Sequence, residues 1–191
     1  MQISVPGTAY SLIQPKSRWM EVPLLLGFNL LLVACAYISI SLPFSPVPIT
    51  GQTFGVLLIA MALGRVRGTV VVLAYLLEGA AGLPVFAGGS AGIGVIAGPT
   101  GGYLLGFVTA AWTVGYLADH AWDRTVIRSV FAMSIGTAII FICGLAWLAR
   151  FVPGDALLTA GLTPFIPGAL VKVALASVLL PAVWRFVRTD H

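Results

Sequence analysis

The sequence predicts an all-α integral membrane protein of six transmembrane helices with Gly/Pro-rich outward loops, and three observations carry that prediction. Of the 191 residues, 59% are apolar and 8% charged, with a mean hydropathy of +1.04. A soluble domain has about a quarter of its residues charged, so bilayer is the main solvent of this chain. Apolar runs near the ~20 residues needed to span a bilayer recur between short polar turns. Basic residues fall in pairs at alternate turns, Lys16 and Arg18, Arg65 and Arg67, Arg124 and Arg128, Arg185 and Arg188, as they do when those turns share the cytoplasmic side. The net charge of +4 therefore reports topology. It forms no cluster able to neutralise phosphates, and no nucleic-acid partner is expected.

Taken in order, residues 1–20 form a short cytoplasmic tail, 21–188 the membrane domain and 189–191 a C-terminal tail. The first apolar run, Val22 to Leu42, contains Leu32-Val33-Ala34-Cys35, the pattern of a lipoprotein cleavage box, and Ala34-Cys35-Ala36 fits an A-x-A cleavage site. The run continues through Tyr37, Ile38 and Ile40 and is read as an uncleaved spanning helix, in which small residues are common. Pro43, Pro46 and Pro48 then make residues 42–50 an ordered loop. A second helix over Gln52 to Gly64, the basic turn Arg65-Val66-Arg67 and a third helix over Thr69 to Ala81 follow, both helices shorter than a full span.

Residues 78–103 are apolar yet too rich in Gly and Pro for a helix. Hydrocarbon cannot solvate their N–H and C=O groups, so the segment lies in water or lines a cavity. Gly102 to Ala118, Val126 to Ala149 and Gly168 to Val187 complete the six helices, with a polar turn over 119–124 and a loop over 150–167. Both termini are then cytoplasmic, and Pro43, Pro46, Pro48, Pro84, Pro99, Pro153, Pro164 and Pro167 fall in the outward loops. Elaborated loops on a helical scaffold are where binding residues concentrate.

Two ionisable side chains fall inside apolar helices, Glu78 near the outer end of the third and Lys172 one turn into the sixth. A charge at membrane depth costs roughly 3 kcal/mol even on insertion scales, so each is expected to face a cavity or the other. Gln52, an amide that both donates and accepts, opens the second helix; Tyr75 lies one turn before Glu78, and Tyr103 opens the fourth helix. Amide, carboxylate, ammonium and phenols near exposed backbone suit a small molecule with polar and apolar ends. Cys35 and Cys143 have no partner Cys or His at metal spacing and are read as packing residues; no metal or cofactor is expected. Gly88-Gly89-Ser90-Ala91-Gly92 fits a nucleophile pattern, but His120 and His191 lie on the opposite side, so no triad can form. Gly92 to Ala97 fits a dinucleotide fingerprint without the strand it requires, and no Walker motif is present.

Three runs, Pro46 to Thr53, Tyr75 to Gly89 and Gly98 to Phe107, resemble BioY, the biotin-specific S component of energy-coupling factor (ECF) transporters, and the match covers about residues 27–185. The resemblance implies a six-helix protein of the bacterial cytoplasmic membrane that captures biotin from outside. It also implies a transmembrane coupling protein and two cytoplasmic ATPases as partners, and a homo-oligomer is compatible with it. Substrate-binding residues are then expected among Gln52, Tyr75, Glu78, Phe86, Gly88, Gly89, Tyr103 and Lys172. The family's Pro-Phe-Ile-Pro-Gly-Asp-x-x-Lys signature is similar to Pro164 to Lys172 here, but Ala169 replaces the acid, leaving Glu78 as the candidate acceptor. The Ala-x-x-x-Ala docking face expected on the first helix is reduced to Cys35 and Ser39 beside Ala36. The expected activity is transport, not catalysis. The alternative is a self-sufficient secondary carrier for biotin or a related small carboxylate, with Glu78 taking up a proton.

Overall fold

The computed structural model describes residues 8–13 and 18–189. Lys16, the rest of the proposed N-terminal tail at 1–7 and 14–17, and His191 lie outside the described residues, as do the side chains of Arg18, Arg185 and Arg188. The order is α1 (Tyr10–Ile13), α2 (Arg18–Tyr37), β1 (Ser39–Leu42), β2 (Ser45–Thr50), α3 (Gln52–Ala80), α4 (Ile93–Ala97), α5 (Gly101–Asp119), α6 (Val126–Leu148), α7 (Leu157–Gly161) and α8 (Ile166–Thr189). Leucines, isoleucines and aromatics stand exposed on every long helix, including Leu30, Leu77, Trp112, Ile127, Ile142 and Leu170. Contiguous apolar surface on that scale belongs against lipid, and the chain is a multi-pass membrane protein.

The second and third helices form one tight hairpin, α3, with no loop between its limbs. Gly64 alone leaves the helical region, at φ +79° and ψ −177°, a conformation open to glycine and strained for residues with a Cβ. The chain reverses there: a Cβ on Gly68 would lie 2.8 Å from the Cα of Ala60, whereas eight residues of one continuous helix would separate them by about 12 Å. The expected turn at 65–67 is thus already helix, because one residue in a left-handed conformation suffices to reverse direction. Helices associate in lipid by close packing of small residues, and α5 supplies them with Gly106, Ala110, Ala111, Gly115 and Ala118, all buried.

The end of the bundle expected to face outward differs from expectation after α2. The first helix stops at Tyr37, and the chain forms a β-hairpin pairing Ser39 with Thr50, Ile40 with Ile49 and Leu42 with Ser45 around a turn at Pro43 and Phe44. The alternation Ile38-Ser39-Ile40-Ser41-Leu42 has the period of a strand, and a two-stranded ribbon has free edges on which Pro46 and Pro48 need no N–H. An isolated two-stranded ribbon is marginal in water. This one is secured through Val47, which is buried, and through Ser45 Oγ, which donates to the Ala160 carbonyl at 2.6 Å.

Candidate functional site

A cavity of about 250 Å³ lies at the end of the bundle that carries the β-hairpin and the Gly/Pro-rich segment. Helical spacing decides which residues reach it. From α8 come Ala169, Lys172, Val173 and Ala176, at i, i+3, i+4 and i+7, and from α6 come Met133, Thr137, Ile140 and Phe141, at i, i+4, i+7 and i+8, each set on one helical face. Tyr103, Leu104 and Phe107 enter from α5, and Gln52, Thr53, Phe54 and Leu57 from α3. The β-hairpin covers it with Pro46, Val47 and Pro48, and the segment between α3 and α5 adds Phe86, Ala87, Ser90 and Val95. The backbone of that Gly/Pro-rich segment is satisfied by protein, as hydrocarbon requires: Gly92 N–H donates to the Gly79 carbonyl at 2.7 Å and Trp147 Nε1 to the Gly98 carbonyl at 3.0 Å.

The polar groups gather at one end. Lys172 Nζ donates to the Thr50 carbonyl and to Thr53 Oγ1 at 3.1 Å, which leaves one of the three ammonium hydrogens for a ligand. Gln52 is buried and doubly held: its Oε1 accepts from Thr50 Oγ1 at 2.9 Å, and its Nε2 donates to Tyr75 Oη at 2.5 Å. Tyr75 is fully buried behind Gln52, off the cavity wall, and its ring meets Phe86 edge-on at 5.5 Å. Tyr103 lines the wall and donates to the Gly161 carbonyl at 2.7 Å, tying α5 to the end of α7. Elsewhere the wall is aromatic, from Phe54, Phe86, Phe107, Phe141 and Phe165. Among the described residues that line it there is no carboxylate and no imidazole, and Lys172 is the one cation.

Of the eight expected residues, Gln52, Phe86, Tyr103 and Lys172 therefore converge on the cavity, and Tyr75 supports it from behind. Glu78, Gly88 and Gly89 are not brought to its wall. Glu78 is half-buried near the C-terminal end of α3, without a hydrogen-bond or ion-pair partner among the described residues. The pairing of Glu78 with Lys172 is not formed, and Glu78 does not fill the place of the acid absent at Ala169, which does line the cavity.

A family model described as the BioY family matches residues 13–189. The chain belongs to the BioY family. Relatives include the biotin transporter BioY of Rhizobium etli, 38% identical over 152 residues, which span 75% of this chain and 81% of that protein. The biotin transporter BioY of Thermotoga maritima is 40% identical over 157 residues, 80% of this chain and 88% of that one. The crystal structure of the S-component for biotin from an ECF-type ABC transporter superposes with a TM-score of 0.76 at 24% identity, covering 90% of this chain and 95% of its own; at that identity the likeness speaks for the fold.

Within this BioY-family chain, reading the sequence missed Thr50 and Thr53 as the groups that hold Lys172, although both flank Gln52 in a run already singled out. Phe165 lies in the Pro164 to Gly168 run and was equally legible. Phe141 and Thr137 carried no signal, because α6 is apolar on every side.

Proposed function

We propose that this protein captures biotin from outside in the cavity described above and delivers it across the bacterial cytoplasmic membrane as the substrate-binding S component of an ECF-type transporter. The observation that carries the reading is a single ammonium, Lys172, at the polar end of an aromatic-walled cavity with no carboxylate among its described lining residues. Such a site favours a ligand that brings its own negative charge or strong acceptor at one end and an apolar body at the other, a description that biotin meets with its carboxylate, ureido oxygen, thioether ring and valerate chain. Membership of the BioY family, whose members from Rhizobium etli and Thermotoga maritima are named as biotin transporters, supports the same ligand. In this reading both termini are cytoplasmic, and a coupling membrane protein with two cytoplasmic ATPases energises release. A proton-coupled carrier working through Glu78 finds less support, since Glu78 stands away from the cavity.

Calorimetry of the purified protein tests the reading: biotin is expected to bind saturably at micromolar concentration or tighter, and more tightly than desthiobiotin, which lacks the thioether. Absence of saturable biotin binding overturns it.

The covering segments imply a kinetic effect as well. Tyr37 Oη, at the end of α2, donates to the Pro84 carbonyl at 2.7 Å and fastens the segment that carries Phe86. A hydrogen bond of this kind contributes about 1 kcal/mol. Tyr37→Phe is accordingly expected to speed biotin dissociation several-fold with little change in association, measured by chasing labelled biotin from the purified protein. An unaltered off-rate would remove this bond from the gating of the cavity.

A further inference from the structure

We infer that the end of the bundle opposite the cavity carries a binding site for the phosphate of an anionic phospholipid, built from Arg65, Trp112 and Tyr116. The two arginines of the α3 hairpin are treated differently by their surroundings. Arg67 is neutralised locally: its Nε lies 2.6 Å from Glu21 Oε1, and its guanidinium lies 3.9 Å from the centre of the Tyr10 ring. Arg65 has no carboxylate within ion-pair distance among the described residues. Its guanidinium instead lies over two rings of α5, 4.8 Å from the centre of Trp112 and 5.7 Å from that of Tyr116. Its Nε is buried without a hydrogen-bond partner.

Packing dictates this course. Gly115 lets the hairpin backbone press on α5, since a Cβ there would come within 2.6 Å of the Arg65 nitrogen and Cα. The Arg65 side chain is thereby led off sideways along the face where Trp112, Tyr116 and His120 follow one another at four-residue spacing. All three rings are exposed, and His120 stacks on Tyr116 at 4.3 Å. Asp119 is engaged with the backbone of the reversal, where its Oδ2 accepts the Arg65 N–H at 3.3 Å. Trp112 stands seven residues, about 10 Å, inside the end of α5, so the guanidinium lies among aromatic rings of the kind that sit at headgroup level.

A guanidinium without a carboxylate, flanked by interfacial rings and opening to the lipid side, is complementary in charge and depth to a phosphodiester headgroup. A phosphatidylcholine headgroup would bring its own cation to the same rings, so a net negative lipid is the occupant the geometry selects. Nothing in this inference depends on the identity of the cavity's ligand.

Native mass spectrometry of the purified full chain, exchanged into detergent with phosphatidylglycerol or phosphatidylcholine of matched acyl chains, tests it. The wild type is expected to retain phosphatidylglycerol at least five-fold over phosphatidylcholine, and millimolar inorganic phosphate is expected to leave that adduct in place. Arg65→Gln should bring the ratio close to one. Trp112→Leu carries the same prediction should Arg65→Gln fail to fold, as judged by biotin titration or thermal melting. Arg150→Gln is the matched control, because Arg150 stacks on Trp147 at 4.3 Å at the cavity end; it should leave the ratio unchanged. Equal retention of the two lipids by the wild type, a preference that survives both Arg65→Gln and Trp112→Leu, or displacement of the adduct by free phosphate would each overturn the proposal.

Discussion

Lys172→Ala is expected to weaken biotin binding by well over ten-fold, where each factor of ten corresponds to about 1.4 kcal/mol. The ammonium is the one cation among the described residues of the cavity wall, and truncation removes more than its contact with ligand. It also strips the Thr50 carbonyl and the Thr53 hydroxyl of their donor, and polar groups left unpaired in a buried site each cost about 1–3 kcal/mol. Glu78→Gln is the informative companion. Reading the sequence alone makes Glu78 a principal acceptor for the ligand, whereas its position off the cavity predicts an affinity within about two-fold of wild type, the scale of a remote change of a few tenths of a kcal/mol. Calorimetry on both variants separates the two expectations: a large loss in Glu78→Gln would return the carboxylate to the site, and unchanged affinity in Lys172→Ala would take the ammonium out of it.

Gly115→Ala is expected to lower the stability of the bundle markedly. The new Cβ would stand 2.6 Å from both the nitrogen and the Cα of Arg65 and 2.7 Å from the carbonyl carbon of Gly64. All three are backbone atoms of the α3 reversal, so no side-chain rotation relieves the overlap, and the hairpin must move off α5. Overpacking of this kind costs about 1–3 kcal/mol or more, which for a chain of this size lowers the melting temperature by roughly 5–10 °C. Gly27→Ala is the control. Gly27 lies within α2, where an added Cβ meets nothing within 4 Å, so its melting temperature should hold or rise slightly, following helix propensity. A melt for Gly115→Ala that coincides with wild type in the same detergent would show that the hairpin and α5 are not held as closely as described.

Much of the fold was legible because each signal depended on position along the chain. The apolar runs, the pairing of basic residues and the prolines of the outward loops place six helical limbs between two surfaces, and the two limbs of α3, α2, α5, α6 and α8 are those six. The Gly/Pro-rich stretch before α5 was identified by what hydrocarbon cannot solvate, and it does supply cavity wall through Phe86, Ala87, Ser90 and Val95. The β-hairpin was missed although Ile38 to Leu42 alternate with strand period, because an apolar run that begins as α2 reads as helix until something stops it. The single-residue reversal at Gly64 was missed for a related reason: the basic pair beside it resembles a turn, yet the helix has already resumed at Arg65.

By itself the sequence determined the solvent of this protein, the number of crossings, the depth of Lys172 and the segments that cover the cavity, since all of these follow from where a residue falls along a helix axis. Only the tertiary structure decided which way each residue faces around that axis. In water, polarity marks the outer face of a helix and periodicity reveals the inner one; in lipid both faces are apolar, so Lys172 and Glu78 read as equals in the sequence. Packing of α8 against α6 and α3 turned Lys172 into the cavity beside Thr50 and Thr53, while the packing of α3, with Tyr75 buried behind Gln52, left Glu78 outside the cavity.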